Sequence, residues 1–315
     1  MNDFLPTATL DMLRRRAELL KQVRQFFDSR GFLEVETPLL SHDVVVDRHL
    51  DPLGVTLPAD PREPERGERL WLQTSPEFGM KRLLAAGAKA IYQITRAFRG
   101  GHESGREHNP EFTIAEWYRV GDDYAAGMQL LSDLAEAVFQ AGPAERLTYR
   151  AAFQRHVKFD PFAPTIPRSP GLPPETDRDA NLDCWLTSMV EPYLGSERPT
   201  ILYDYPSSQS ALAQVRPGDP PLAERFELYV RGMELANGYH ELLDPQVLRE
   251  RNRANNEARQ ADGKYSLPEE SRLLAAMEHG LPACSGCALG FDRLVMAATG
   301  AKSIQEVLPF PIERA

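Results

Sequence analysis

The sequence predicts an α+β fold, a mainly antiparallel sheet flanked by helices, and two patterns predict it. Residues 91–118 and 225–242 alternate apolar and polar side chains around glycine-containing turns, as half-buried hairpins do. Residues 10–30, 122–142 and the run after Gly290 instead repeat apolar side chains every three or four positions, as amphipathic helices do.

The bulk properties are those of an ordinary soluble chain. Its 315 residues are 42% hydrophobic and 26% charged, and the expectation is one domain spanning 1–315. No run of about 18 apolar residues occurs, and MNDFLPTATL lacks a signal-peptide core, which predicts a cytoplasmic protein without a membrane partner. A net charge of −10 argues against broad binding to polyanions. Three cysteines, Cys184, Cys284 and Cys287, are too few for a disulfide framework. The Cys-Ser-Gly-Cys run has metal or redox spacing, but no second pair completes a zinc site, so both thiols read as small fillers beside a glycine turn.

The first helix places Leu13, Ala17, Leu20 and Phe27 in phase, with Leu19, Val23 and Phe26 alongside, and stops at Gly31. FLEVETP then reads as a short strand closed by Pro38. Residues 51–69, rich in proline and charge, read as a surface excursion. Leu70 to Thr74 suits a strand, and Pro76 with Glu77 suits a helix start, where a carboxylate meets the positive end of the dipole. From position alone Glu77 reads as a helix-capping carboxylate.

In the hairpin of residues 91–118, alternation sets Tyr92, Ile94 and Phe98 on one face and Gln93, Thr95 and Arg99 on the other. Phe112, Ile114, Glu116 and Tyr118 share a face on the return strand, so a carboxylate and a phenol stand where core residues belong. Either this is a hairpin with a solvated tip, or Arg99, Arg106, His108 and Asn109 beside Phe112 line a pocket. A guanidinium there would grip a phosphate or carboxylate through two parallel hydrogen bonds.

Beyond the helix at 122–142, the prolines within residues 145–180 predict a loop or small insertion, followed by a short helix at 180–191 and a strand at 200–205. A turn at Arg231–Gly232 would pair Val230 with Met233, Tyr229 with Glu234 and Glu227 with Ala236. Glu227 and Glu234 then share a face, and two adjacent carboxylates call for a cation such as Mg²⁺ or for a proton. Strict alternation turns Glu241 away, unless a bulge at Asn237–Gly238 returns it. Near the C-terminus a small-residue strand meets Gly290, and Arg293 falls in the first helical turn, where an anion would offset its conflict with the dipole.

RGFLEVETP, the string REHNPEFTIAEWY and SGCALGFDRL resemble motifs 1, 2 and 3 of the class II aminoacyl-tRNA synthetases, at about 10–38, 91–118 and 285–301. The middle string is similar to the lysyl-specific version. The resemblance implies a class II catalytic domain that uses ATP and Mg²⁺, with a homodimer interface built by motif 1. It assigns Arg99 and Arg293 to catalysis and, with Gly100, Gly101, His108, Asn109, Phe112, Glu227, Glu234, Leu235 and Gly290, to ATP. Glu227 and Glu234 would also serve the metal. Ser75, Pro76, Glu77, Glu116, Tyr118, Asn237, Glu241 and Ala288 match the amino-acid site. Two departures stand out: Gly100, Gly101 and His102 precede Glu103 where lysyl enzymes read one residue before Glu, and Ala288 replaces a usual glycine.

Only about nine residues precede the first helix, so no anticodon-binding domain is expected and tRNA is not the expected partner. The chain looks like the truncated lysyl-synthetase paralogues, which implies adenylation of lysine or (R)-beta-lysine and its transfer to a lysine of elongation factor P. The alternatives are a lysine-activating enzyme with another acceptor, tRNA included, and a catalytically silent binder.

Overall fold

The computed structural model describes residues 4–101, 105–173 and 175–315, so the expected departure at His102 and Glu103 lies outside the described residues. The chain forms two compact units, Met1–Gly121 with Leu243–Ala283 and Gly290–Ala315, and Asp122–Leu242 with Cys284–Leu289. Sheet and helices combine as expected for α+β.

The first unit carries six strands: β1 (Leu33–Glu34), β2 (Leu40–Ser41), β3 (Gly54–Pro58), β4 (Gly67–Leu72), β5 (Ala90–Phe98) and β6 (Glu111–Val120). β5 and β6 form an antiparallel ladder without a bulge, in which Gln93 faces Glu116 and Ala97 faces Phe112. Alternation therefore holds along both strands, and Phe112, Ile114, Glu116 and Tyr118 share one face. The opposite face packs on the helix Leu10–Asp28, where Phe27 stacks on Tyr92 at 4.8 Å and meets Trp117 at 5.1 Å. That helix starts at Thr9, whose hydroxyl accepts from the Met12 amide.

Two expectations for this unit change. The strand read over FLEVETP shrinks to the two residues of β1, parallel to β5. Thr37 instead donates through its amide and hydroxyl to the Gln93 side chain, which replaces a ladder that Pro38 would interrupt. The surface excursion at 51–69 contains a regular hairpin, β3 against β4, with β2 on the other side of β4. Here cross-strand pairing overrides the proline-rich composition.

Two further helices, Pro245–Ala261 and Arg272–Gly280, have no counterpart in the sequence reading. The buried positions of the first are Leu248, Asn252, Asn256 and Arg259. A helix that buries amides and a guanidinium shows no apolar period to read. Arg259 has no solvent exposure and donates to the Asp47 and Leu50 carbonyls, the Tyr265 carbonyl and the Asp51 carboxylate.

The second unit holds β7 (Glu145–Thr148), β8 (Thr200–Pro206), β9 (Val215–Arg216), β10 (Leu222–Val230), β11 (Met233–His240) and β12 (Cys284–Gly290). Their order is β12-β11-β10-β8-β7, with β9 also on β10. Residues 145–180 are not all loop: β7 leads into the helix Tyr149–His156, capped by Thr148, and the proline-rich run begins after it. The expected helix at 180–191 is Arg178–Trp185, continued by a π turn over Leu186–Val190. On one face of the sheet, the helix Tyr124–Phe139 comes so close at Gly127 that a Cβ would stand 2.0 Å from the Ser285 hydroxyl.

The β10–β11 turn falls at Arg231–Gly232, where both residues have positive φ, 54° and 75°, the backbone of a two-residue hairpin turn. Val230 pairs with Met233 and Tyr229 with Glu234, as expected. Glu227, however, pairs with Asn237 and not with Ala236. The register shifts between Leu228 and Tyr229, leaving Leu235 as the extra residue on β11. The bulge thus sits at Leu235 instead of Asn237–Gly238. It nevertheless brings Glu227, Tyr229, Glu234 and Asn237 onto one face, and alternation carries the same face on to Glu241.

Candidate active site

In the first unit, Glu116 is the centre of a buried polar cluster. β6 holds it at 1% exposure, and its two oxygens accept from the Ser75 hydroxyl at 2.8 Å and the Tyr118 phenol at 2.6 Å. Ser75 precedes the helix Glu77–Ala85, and its hydroxyl accepts from the Glu77 amide at 3.0 Å, so one serine ties the helix start to the strand. Pro76 occupies the position just before the helix, where a missing N–H costs nothing. One turn along, the Lys81 ammonium stands 2.5 Å from the Glu77 carboxylate, both nearly buried. Burial pushes the Glu116 carboxyl up to about 7; the Glu77 charge adds to this, while Tyr118, Ser75 and Lys81 oppose it. Two carboxylates and one ammonium therefore share a buried cluster, an arrangement that suits an incoming amine.

Arg99 follows the last residue of β5, and its amide donates to the Pro110 carbonyl, which closes the hairpin above the cluster's strand. Its guanidinium lies over the Phe112 ring, 5.0 Å from the centroid, a cation–π contact. Gly100 donates its amide to the Asp51 carbonyl at 2.6 Å, and a Cβ there would meet Leu53 at 3.0 Å. Gly101 has φ +74°, which its lack of a side chain permits.

Arg293 lies in the helix Phe291–Thr299, directly after Gly290. It donates to His108 Nε2 at 2.5 Å and, more weakly, to the Glu107 carbonyl at 3.4 Å. A guanidinium has no acceptor, so the imidazole nitrogen must accept. Asn109 does something the sequence did not foretell: its amide donates to the Glu111 carbonyl and accepts from the Ile312 amide, so both ends hold main chain. Beside Arg293, the Asp292 carboxylate accepts from the Thr113 amide at 2.7 Å and stands 2.6 Å from the Arg16 guanidinium. This pair links the first helix, β6 and the last helix.

In the second unit the rows of the sheet place Glu227, Asn237 and Ala288 side by side across β10, β11 and β12. Glu227 is 3% exposed and accepts four hydrogen bonds. One oxygen takes Arg225 at 2.5 Å and the Asn237 amide at 2.9 Å. The other takes the Tyr205 phenol and, at 2.6 Å, the Tyr229 phenol. Because Asn237 donates its NH₂ to Glu227, its oxygen points elsewhere, buried and without a protein partner. An orphaned acceptor of this kind fits an ammonium donor. The two phenols belong to a core cluster with Tyr149, Phe153 and Leu182, which fixes their positions. Burial, then the Glu227 charge, holds both phenols well above their usual range, so they stay protonated donors.

Glu241 is 1% exposed, and its amide donates to the Cys284 carbonyl. Among the described residues no group of three or more His, Cys, Asp or Glu side chains could hold a metal ion. Glu227 and Glu234 share a face, but both Glu227 oxygens already accept from Arg225, Asn237, Tyr205 and Tyr229, so the expected carboxylate pair fits a magnesium ion through Glu234, the one-carboxylate contact that suits a magnesium nucleotide. All three cysteines are free, and Cys284 and Cys287 are buried.

Four polar residues of these clusters were not anticipated: Lys81, Tyr205, Arg225 and Tyr229. The last two were within reach, since Arg225, Glu227 and Tyr229 stand at i, i+2 and i+4 on one strand and so share its face. Lys81 stands four residues after Glu77 and passes for a surface helix pair until its burial is known.

No helix among the described residues is long and apolar enough to cross a membrane. A protein from Vibrio cholerae serotype O1 named elongation factor P (R)-beta-lysine ligase is 45% identical over 324 residues, covering 100% of this chain and 99% of its own. Proteins of the same name from Klebsiella pneumoniae subsp. pneumoniae and Salmonella paratyphi B are 45% and 44% identical, with 98% of both chains covered in each case. Residues 3–314 match the family model described as tRNA synthetases class II (D, K and N). The chain therefore belongs to the class II tRNA synthetases of the D, K and N group.

Proposed function

We propose that this protein is an ATP-dependent ligase that activates (R)-beta-lysine, or lysine, as its adenylate and transfers it to the ε-amino group of a lysine on elongation factor P. Full-length similarity to ligases of that name carries the reading. The site chemistry supports it: Glu77, Glu116 and Glu241 are buried carboxylates of the kind a diamino acid needs.

The roles assigned are positioning and charge stabilisation, with no covalent nucleophile. Arg99 would hold the substrate carboxylate and the α-phosphate together, and Arg293 the distal phosphates. Phe112 and the Gly100–Gly101 backbone complete the nucleotide contacts, with His108 orienting Arg293 and Asn109 stapling the loop. Of the expected metal pair, Glu234 is offered to the nucleotide's magnesium, while Glu227, whose two oxygens accept from Arg225, Asn237, Tyr205 and Tyr229, orients Asn237 instead; Leu235 and Gly290 lie beside the ATP. Ser75, Pro76, Glu77, Glu116, Tyr118, Asn237, Glu241 and Ala288 would bind the amino acid. The chemical step breaks the bond between the α- and β-phosphates as the carboxylate attacks, releasing pyrophosphate; the acceptor amine then displaces AMP.

We also assign a homodimer through the first helix and β1, supported by the exposure of Leu10 and Leu33 there. Action in the cytoplasm fits three free thiols. The test is pyrophosphate exchange with both lysine isomers, followed by mass measurement of elongation factor P after incubation. The reading predicts exchange and a mass gain of one lysyl group. Exchange without that gain would point to another acceptor, and no exchange to a silent binder.

A further inference from the structure

The buried cluster around Glu116 contains one residue that the proposed reaction does not use. Lys81 is 2% exposed, and its ammonium lies 2.5 Å from Glu77 and 5.8 Å from the centroid of the Tyr118 ring. A buried ammonium is costly without a counter-charge, and a well-packed Leu or Met would fill the same helix position more cheaply. Its presence has a consequence for the cluster's charge. The groups that act on the Glu116 charge are Ser75 from the preceding loop, Glu77 and Lys81 from the helix, and Tyr118 on its own strand, and the neutral Gln93 faces it from β5. Of these Glu77 and Lys81 carry charge, so with Glu116 ionised the cluster holds two negative charges and one positive.

We propose that Lys81 is a positioning residue that sets the cluster to a single net negative charge, matching it to one ammonium group of the amino-acid substrate. The proposal rests on the lysine-activating function above. Lys81 acts through Glu77: it holds that carboxylate in place and offsets its repulsion of Glu116, so that Glu116 can lose its proton when a substrate ammonium arrives. Without Lys81, two carboxylates would face each other and Glu116 would keep its proton to higher pH. Without Glu77, Lys81 alone would face Glu116 and favour its ionised form. A pair that only stabilised the helix would leave the pH dependence of the diamino-acid KM the same in every variant.

The test is a charge ladder. Lysine-dependent pyrophosphate exchange is measured for wild type, Lys81→Met, Lys81→Arg, Glu77→Gln and the double variant Glu77→Gln/Lys81→Met from about pH 5.5 to about pH 9, with separate KM values for diamino acid and ATP. In wild type the KM for the diamino acid rises as pH falls through the midpoint of the cluster. Lys81→Met should move that midpoint up by about one unit, about tenfold in KM at a fixed pH below it. Lys81→Arg should leave the midpoint in place, Glu77→Gln should lower it, and the double variant should return it close to wild type. The KM for ATP should not follow.

If Lys81→Met shows no cooperative melting, the order of Glu77→Gln below the double variant still decides. Coincident midpoints for those two variants, or a KM for ATP that moves in parallel, would overturn the proposal. Absence of exchange in wild type would refute the activity instead. The charge of the cluster is then read from calorimetric binding of lysine across the same pH range, where the same order supports the proposal and one common midpoint refutes it.

Discussion

Arg16 and Asp292 form a buried ion pair at 2.6 Å, with side-chain exposures of 11% and 2%, and Thr113 stands at their junction. The Thr113 amide donates to the second Asp292 oxygen, while its hydroxyl accepts from Arg16 at 2.8 Å and from Arg96 at 3.0 Å. Three stretches distant in sequence thus meet at one carboxylate, one residue before Arg293. Removing one partner leaves the other charged and buried. Asp292→Ala is expected to destabilise the protein by about 3–5 kcal/mol. Arg16→Met combined with Asp292→Leu should cost less than either single change, as a double-mutant cycle in denaturant would show.

Glu116 gives stability a pH dependence of defined sign. Its carboxyl is pushed from 4.5 up to about 7 on folding, so the folded state holds a proton that the unfolded state has released. The associated stability is fully present below about pH 4.5 and is lost as pH rises through about 7, for a total on the order of 3 kcal/mol. Denaturant unfolding of wild type between these limits should show the fall, and Glu116→Gln should flatten it. A wild-type profile as flat as the variant's would refute the assignment.

Both hairpins and their faces were legible because alternation is local and each has one apolar side. What sequence pattern could not carry was any feature set by partners far along the chain. The register around Leu235 depends on how β10 meets both its neighbours, so counting back from Arg231–Gly232 misplaced Glu227 by one partner. The helix Pro245–Ala261 buries Asn252, Asn256 and Arg259 against loop carbonyls, which erases the apolar period that would have announced it. Composition misled at 51–69, where Pro58 ends one strand of a real hairpin and Pro61 and Pro64 lie in its connection. In the candidate site the charged residues were visible individually; which of them hold one another was not, as Asn109 and Lys81 show.

Gly238 tests how tightly the second sheet is packed. A Cβ on it would stand 2.4 Å from the Phe226 ring and 3.0 Å from the Gly286 carbonyl. Phe226 is wholly buried, so the ring has little room to yield. Gly238→Ala is expected to lower stability by about 1–3 kcal/mol through overpacking. A paired Phe226→Leu change should recover part of that loss in thermal melts, and no recovery would locate the strain in the Gly286 backbone.

The hydrogen bond between Glu227 and Asn237 makes the Asn237 oxygen, the acceptor proposed for the substrate, depend on residues that need not touch the substrate. Glu227 fixes which way the Asn237 amide points, and Tyr205, Tyr229 and Arg225 fix Glu227. Tyr229→Phe removes one donor and keeps the ring in its core, leaving the carboxylate with three partners. The expected result is a modest loss of stability, about 1 kcal/mol, and a KM for the diamino acid raised by about five- to tenfold. Asn237→Leu should raise the same KM further, by about tenfold or more, since it deletes the acceptor itself. Combining the two changes should add little to the second alone if Tyr229 acts through Asn237, and the product of the two effects if it does not. Steady-state exchange with the diamino acid varied at saturating ATP separates these outcomes.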